Sequence, residues 1–157
     1  MFFSTILLGL IGCDSDAELT AFPSKITWGE IDFRQAKPET GYSPTTIDLN
    51  NTGEEKIDSI SIDRLDLNID KECPGKNDCN RLCLQGFDKT PAELGSLTAG
   101  SSYSFVVSVC DYIEETGERD EEITGQIEIS HSGSNSPITV NWSFTPVFQL
   151  ESDDTGD

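Results

Sequence analysis

Basic residues are scarce in this sequence, and their scarcity excludes one class of function. The chain has 10 Lys and Arg against 29 Asp and Glu, which gives a formal net charge of -19. A protein that binds DNA or RNA needs clustered Lys or Arg to neutralise phosphates, and a surface this acidic repels them. We therefore predict no nucleic-acid partner, and we attribute most of the acidic surface to solubility.

Histidine is nearly absent as well, and the common catalytic motifs are missing. The single histidine, His131, precedes Ser132-Gly133 in what we expect to be an exposed hairpin loop. The chain has no GxSxG, no HExxH and no glycine-rich phosphate-binding loop, which are motifs of nucleophilic, zinc-dependent and phosphoryl-transfer chemistry. We predict that the protein is not an enzyme and that it needs no cofactor.

Long hydrophobic runs are missing too, apart from a short one at the start. Residues 1–12 (MFFSTILLGLIG) contain no charged side chain. Their apolar run of roughly ten residues fits the core of a signal peptide, whereas crossing a bilayer as a helix takes roughly 20 residues. We therefore predict a signal peptide over 1–12.

The residues that close this run, Leu10-Ile11-Gly12-Cys13, resemble the lipobox of bacterial lipoproteins. The resemblance implies that a diacylglycerol is joined to the Cys13 thiol and that the chain is cut before Cys13. It also implies a lipid-anchored protein of the bacterial cell envelope, at the periplasmic face or the cell surface. Residues 13–23 would then form a tether that reaches about 30 Å at most. The alternative is an ordinary secretory signal that is cut after Leu19-Thr20-Ala21.

The chain has five cysteines, an odd number, so they cannot all pair within one chain. Lipidation accounts for Cys13 and leaves four others: Cys73, Cys79, Cys83 and Cys110. Exported proteins meet oxidising conditions, so two disulfides are expected, with three possible connectivities. Three of the four lie in an irregular loop over 71–83, and we favour a bond from Cys79 or Cys83 to Cys110. A zinc site built from all four cysteines is the alternative, although the spacing lacks the paired CxxC knuckles typical of one.

Alternation of apolar and polar residues, rich in Val, Ile, Phe and Tyr, predicts a chain made mostly of strands. We predict one all-β domain over 24–148, a single immunoglobulin-like antiparallel β-sandwich of about seven or eight strands with a disulfide-braced loop. An acidic disordered tail over 149–157 follows it. A short helical turn is expected at Thr90-Pro91-Ala92-Glu93, which matches a capping box. The predicted strands are 24–33, 45–50, 57–62, 65–70, 81–87, 102–110, 122–130 and 137–145.

The order of these segments resembles a known family of domains. The stretch Ile26-Thr27-Trp28-Gly29-Glu30-Ile31 is similar to its opening strand. The stretch Thr46-Ile47-Asp48-Leu49-Asn50-Asn51-Thr52-Gly53 is similar to its most distinctive piece, a strand that ends in an Asn-x-Gly turn. Residues 125–130 and 137–142 resemble its last two strands. The family is that of the ASH/Hydin-type immunoglobulin-like domains, found in bacteria as choice-of-anchor modules.

Acidic segments and the two tryptophans are the remaining candidates for a ligand site. The acidic run that ends at Glu122 fits a solvated hairpin tip better than a calcium loop. Its weak calcium candidates are Glu114, Glu115, Glu118 and Asp120. The alternation over 66–70 (DLNID) lacks the Gly and Glu of an EF-hand and is better explained as a strand with one solvated face. We expect Trp28 and Trp142 to pack in the core, with stacking on a carbohydrate as the alternative.

The sequence therefore predicts a membrane-anchored envelope lipoprotein, held by lipid on Cys13, that acts as a protein-binding or structural module of a larger assembly. Sheet edges of such folds can recruit a strand from a partner. Two alternatives stay open: an adhesin exposed on the cell surface, and a module that binds calcium or carbohydrate.

Overall fold

The chain forms nine strands and no helix within the residues that the computed structural model describes, which are 16–33, 35–67, 82–88, 90–110 and 122–147. In chain order the strands are β1 (Leu19–Phe22), β2 (Lys25–Asp32), β3 (Tyr42–Asn51), β4 (Ile57–Leu67), β5 (Leu82–Leu84), β6 (Ala92–Leu97), β7 (Ser102–Val109), β8 (Ile123–His131) and β9 (Ile138–Val147).

The strands pair into two sheets that pack face to face. One sheet has four strands in the order β1-β3-β7-β5, and the other has five in the order β2-β9-β8-β4-β6. Neighbouring strands are antiparallel except β2 and β9, which are parallel. This arrangement confirms the predicted immunoglobulin-like β-sandwich.

The parallel pair results from a crossing of the chain between the sheets. β1 belongs to the four-stranded sheet, and after Pro23 and Ser24 the chain continues as β2 at the edge of the five-stranded sheet. One N-terminal segment therefore supplies an edge strand to both sheets, and it closes one side of the sandwich.

Period-two alternation places one face of each central strand in the core. On β9, Val140, Trp142 and Phe144 are buried, whereas Thr139 and Asn141 are exposed. Full burial of one such apolar side chain contributes about 1.5–3 kcal/mol. The same alternation buries Ile47 and Leu49 on β3, Ile60 and Ile62 on β4, Phe105 and Val107 on β7, and Ile127 and Ile129 on β8.

Trp142 is the largest fully buried side chain among the described residues. Its indole packs across Gly125 of β8, where an added Cβ would collide with the ring. The indole Nε1 donates a hydrogen bond to the carbonyl oxygen of Leu65 on β4 at 2.8 Å. Trp28 is half-buried against the core, and its Nε1 donates to Thr45 Oγ1 at 2.9 Å. The predicted core position is confirmed for Trp142, whose covered ring excludes carbohydrate stacking, whereas Trp28 only packs against the edge of the core.

The helical turn predicted at 90–93 is wrong. Ala92–Leu97 forms β6 along the edge of β4, where Ala92 pairs with Ile62 and Leu97 pairs with Ile57. Gly95 within this stretch is a poor helix former. Burial of Ala92 and Leu97 against β4 therefore outweighs the gain from one helix cap.

The strands predicted at 57–62 and 65–70 are one strand over their described part. β4 runs without a break through Ile57–Leu67, and it pairs with β8 from Ile60 onward. The register of the pairing with β8 shifts on both sides of Arg64, so the predicted gap is an irregularity within one strand.

The tether predicted over 13–23 is wrong in its second half. Residues 19–22 form β1, which pairs with the last residues of β3. Ala17 and Leu19 are only 1% and 0% exposed. Burial of these side chains offsets the entropy lost when the segment is ordered. The sandwich therefore begins before residue 19 and not at 24.

We predict that Gly125→Ala lowers the free energy of unfolding by about 2 kcal/mol, because the new methyl group displaces the Trp142 indole. Urea unfolding followed by tryptophan fluorescence measures the loss. Thr124→Ala, the exposed neighbour on β8, is the matched control and should cost less than about 1 kcal/mol. Equal losses in the two variants would contradict the close packing of Trp142 on Gly125.

Candidate functional site

Several predicted site residues lie outside the described residues. They are the lipidation residue Cys13, the disulfide candidates Cys73 and Cys79, the calcium candidates Glu114, Glu115, Glu118 and Asp120, and the tail 149–157. Within the described ranges, no group of three His, Cys, Asp or Glu side chains is placed to hold a metal ion. The same ranges contain no helix that is long and apolar enough to cross a membrane.

Cys83 and Cys110 form a disulfide, with their Cα atoms 5.5 Å apart. Cys83 lies on β5 opposite Ser108 of β7, and Cys110 follows β7 directly. The bond pins a three-residue edge strand to its neighbour. It is one of the two bonds to Cys110 that the sequence favours. It also excludes a zinc site built from all four cysteines, because two of the thiols are consumed.

The residues before β1 are held between two turns at one end of the sandwich. The segment 16–19 makes hydrogen bonds to the β3–β4 turn (residues 52–56) and to the β8–β9 turn (residues 132–137). We call this arrangement the N-terminal clasp. Chain termini are usually poorly ordered unless they are tied down, so the clasp fixes the point where the chain enters the fold.

The β3–β4 turn holds one side of the segment. The backbone N–H of Thr52 donates to the carbonyl of Glu18 at 2.9 Å, and that of Glu54 donates to the carbonyl of Asp16 at 3.0 Å. Gly53 lies between these two donors, and a Cβ there would collide with the Asp16 carbonyl oxygen. The close approach of the two backbones therefore requires glycine at this position.

The β8–β9 turn holds the other side. The backbone N–H of Ser134 donates to the carbonyl of Ala17 at 2.9 Å. The Asn135 amide bonds both backbone groups of Leu19: its Nδ2 donates to the carbonyl at 2.8 Å, and its Oδ1 accepts from the N–H at 3.1 Å. A Cβ at Gly133 would collide with the Ala17 carbonyl oxygen. Both turns thus depend on a glycine that admits the N-terminal backbone.

Asn51 connects the clasped end to both sheets. It ends β3 and is only 1% exposed. Its Nδ2 donates to the carbonyls of Glu55 at 2.7 Å and Leu97 at 3.1 Å, and its Oδ1 accepts from the Gly53 N–H at 3.1 Å. Both amide hydrogens and the amide oxygen are therefore bonded, so the buried side chain leaves no donor unpaired. Because Leu97 ends β6, one of these bonds joins the two sheets.

His131 is buried, and the expectation of an exposed loop histidine is wrong. It is the last residue of β8, lies opposite Ile60 of β4, and is 8% exposed. Its Nδ1 accepts a hydrogen bond from the Gly133 N–H at 3.1 Å. Burial lowers the pKa of His131 below its usual value of 6.5. Pairing with β4 extends β8 as far as His131, directly before the turn at Ser132-Gly133. The neutral imidazole accepts a hydrogen bond from Gly133, which lies against the Ala17 carbonyl of the clasp.

The sheets leave edge strands that could accept a strand from another chain. The four-stranded sheet ends in β1 and β5, and the five-stranded sheet ends in β2 and β6. β2 has a bulge between Thr27 and Glu30, and β6 contains Gly95 at a φ of 90°. Such irregularities discourage unselective pairing at a sheet edge. β1 and β5 both pair in regular register with their neighbours, but on the open side of β1 the Asn135 amide already bonds both backbone groups of Leu19.

Phe22, at the end of β1, is the exposed large hydrophobic side chain of the described residues, with 71% of its surface accessible. Alternation along β1 buries Leu19 and places Phe22 on the outer face of the four-stranded sheet. Its strand partner there is Asp48, which accepts a hydrogen bond from the Ser104 hydroxyl at 2.5 Å. Aromatic side chains commonly anchor protein–protein interfaces, which makes the outer face of β1 around Phe22 the candidate contact surface.

A shallow groove of about 380 Å³ lies on the outer face of the five-stranded sheet. Gln126 Nε2 donates to Asn141 Oδ1 at 2.8 Å along its wall. Trp142 borders the groove, but its ring is covered. The groove offers hydrogen-bonding groups without the aromatic face that sugar stacking would use. Its polar lining consists of Lys25, Glu122, Thr124, Gln126, Asn141 and Ser143.

No protein-family model matches this chain, and no curated protein matches it. Solved structures do resemble it. A protein of unknown function from Porphyromonas gingivalis W83 has a TM-score of 0.51 and 9% identity, over 88% of this chain and 51% of its own. The CupB2 chaperone of Pseudomonas aeruginosa has a TM-score of 0.50 and 14% identity, over 85% of this chain and 57% of its own.

The ASH/PapD-like domain of human CEP192 (PapD-like domain 7) has a TM-score of 0.49 and 9% identity, over 96% of this chain and 99% of that domain. The likeness of the two bacterial structures to this chain is one of fold, and this chain spans about half of the length of each.

We predict that Asn51→Asp lowers the free energy of unfolding by about 3 kcal/mol, because a buried carboxylate would face two carbonyl oxygens in place of an amide that donates to them. Asn50→Asp is the matched control, since it adds the same charge one residue away on the half-buried outer face. Urea unfolding at neutral pH measures both. A loss in Asn51→Asp no larger than in the control would contradict the bonding scheme.

We predict that the stability supplied by His131 declines in acid. Its pKa is lowered in the folded chain, so the unfolded chain binds more protons below pH 6.5. This contribution is complete above that pH and is lost as the pH falls, by up to about 1.4 kcal/mol per pH unit. The measurement is the stability difference between the wild type and His131→Gln from pH 7.5 to 5.5. Parallel curves for the two proteins would contradict the prediction.

Proposed function

We propose that this chain is a lipoprotein of the bacterial cell envelope, anchored through Cys13, whose sandwich binds a protein partner at the membrane. One observation carries the proposal: residues 16–22 belong to the folded domain, and Asp16 is the third residue after Cys13. Cleavage before Cys13 leaves the entire fold intact. Cleavage after Ala21, the competing possibility, would remove the clasp and the fully buried Leu19.

The cost of that competing cleavage supports the lipobox interpretation. Loss of residues 16–21 would remove most of β1 and leave the last residues of β3 without their strand partner. It would also leave a cavity in place of Leu19, and deletion of a buried leucine side chain alone costs about 2–5 kcal/mol. A signal cut at that point would therefore release a damaged domain.

Binding of a protein partner is supported by the exposed side chain of Phe22 and by the fold. Phe22 lies on the outer face of β1 with 71% of its surface accessible, and aromatic side chains commonly anchor protein–protein contacts. The CupB2 protein, which shares the fold, is a chaperone. We therefore assign the partner to the outer side of β1.

We predict that the mature chain begins at a diacylated Cys13. Mass spectrometry of the N-terminal peptide, after expression of the full chain in a bacterial host, measures both the cleavage point and the added mass. Cys13→Ser should remove the lipid and release the domain from membranes. A mature N-terminus at Phe22 would instead establish ordinary secretion and contradict the lipoprotein proposal.

We predict that Phe22→Asp abolishes capture of the partner, because it replaces the exposed aromatic side chain with a charge. Chemical crosslinking in native cells, followed by purification of the lipidated chain, measures capture. Thr139→Asp is the matched control, since Thr139 is an exposed residue of β9 in the other sheet. Equal capture by Phe22→Asp and the wild type would exclude the outer face of β1 as the binding surface.

A further inference from the structure

We infer that the anchored domain stands with its clasped end on the bilayer and with the 33–41 connection pointing away from it. This inference rests on the lipid anchor proposed above. It goes further than the anchor alone, because a lipid on a long flexible tether would leave the orientation of the domain undetermined. The clasp holds residues 16–19 against the sandwich and so shortens the flexible link.

The length of the link sets the first constraint. Asp16 is the third residue after Cys13, so the link between them spans about 11 Å at full extension. From Asp16 onward the backbone is bonded to both turns of the clasp. The lipid would therefore be attached to the end of the sandwich that carries the turns 52–56, 98–101 and 132–137.

The direction of the strands sets the second constraint. β3 and β8 run toward the clasped end, and β4 and β9 run away from it. β9 has ten residues, and a strand of that length spans about 30 Å. The connection 33–41 between β2 and β3 lies at the opposite end, so it would stand about 30 Å farther from the membrane than the clasp.

Charge keeps the folded domain from inserting into the headgroups. The chain has a formal net charge of -19, and bacterial membranes with anionic headgroups repel it. The clasped end is acidic too, since Asp16, Glu18, Glu54 and Glu55 are exposed there. The domain would accordingly rest on its short link above the headgroups and not insert into them.

This orientation determines which partners can reach Phe22. Phe22 lies three residues beyond Leu19 along β1, about 10 Å from the clasped end. The outer face of β1 that carries Phe22 would therefore stand close to the headgroups. A partner that contacts Phe22 would itself be a membrane-associated protein that approaches from the side.

Two labelled variants test the orientation. Ala99→Cys places a fluorophore in the exposed turn before β7 at the clasped end, and Glu39→Cys places one in the exposed connection at the far end. Each full-length lipidated chain is reconstituted into vesicles of phosphatidylethanolamine with a minor share of phosphatidylglycerol. Quenching by a nitroxide on the lipid headgroups reports proximity to the bilayer, and the wild type carried through the same labelling reaction is the background control.

We expect the label at residue 99 to be quenched several-fold more than the label at residue 39. A Gly-Ser insertion of about ten residues after Asp14 lengthens the link without touching the clasp, and it should bring the two values together. Equal quenching without the insertion, or stronger quenching at residue 39, would overturn the orientation alone. Chains that carry no lipid by mass spectrometry would overturn the anchor and the orientation together.

Discussion

The hydrogen bonds that hold residues 16–19 between two turns are the constraint on which the rest of the fold depends. They fix the position at which β1 enters the four-stranded sheet. From there the chain can cross to the five-stranded sheet and pair in parallel with β9. The close approach is possible because Gly53 and Gly133 leave room for the N-terminal backbone. A side chain at either glycine would displace the segment that closes one side of the sandwich.

Buried polar groups add specificity to a core that is otherwise made of aliphatic and aromatic side chains. Asn51 bonds three backbone groups, and the Trp142 indole bonds one. An unmade bond at such a site costs more than a made bond gains, so each group favours one register of the strands around it. His131 differs, because burial of its ring disfavours the charged form, and its Nδ1 accepts a bond from a turn and not from a strand.

On the proposed anchor, the position of the domain at the membrane and the access of a partner to it would both follow from the clasped end. A lipid on Cys13 would be joined to the clasp almost directly, and the acidic surface would keep the domain above the headgroups. The outer face of β1, with Phe22 exposed, would then be presented to neighbours in the same membrane. The irregular edges of β2 and β6 would stay less available. Anchor, charge and edge geometry together support a binding module for which orientation matters.

The sequence by itself determined the fold class and most of the strands, because alternation of apolar and polar residues is a local property that distinguishes the buried face of a strand from its solvated face. It also identified Trp142 as a core residue and favoured Cys79 or Cys83 as the partner of Cys110. Pairing between distant strands, in contrast, places Leu19 and Ala92 in edge strands and buries His131. Those positions have weak local signals, and pairing with distant strands supplies the free energy that orders them.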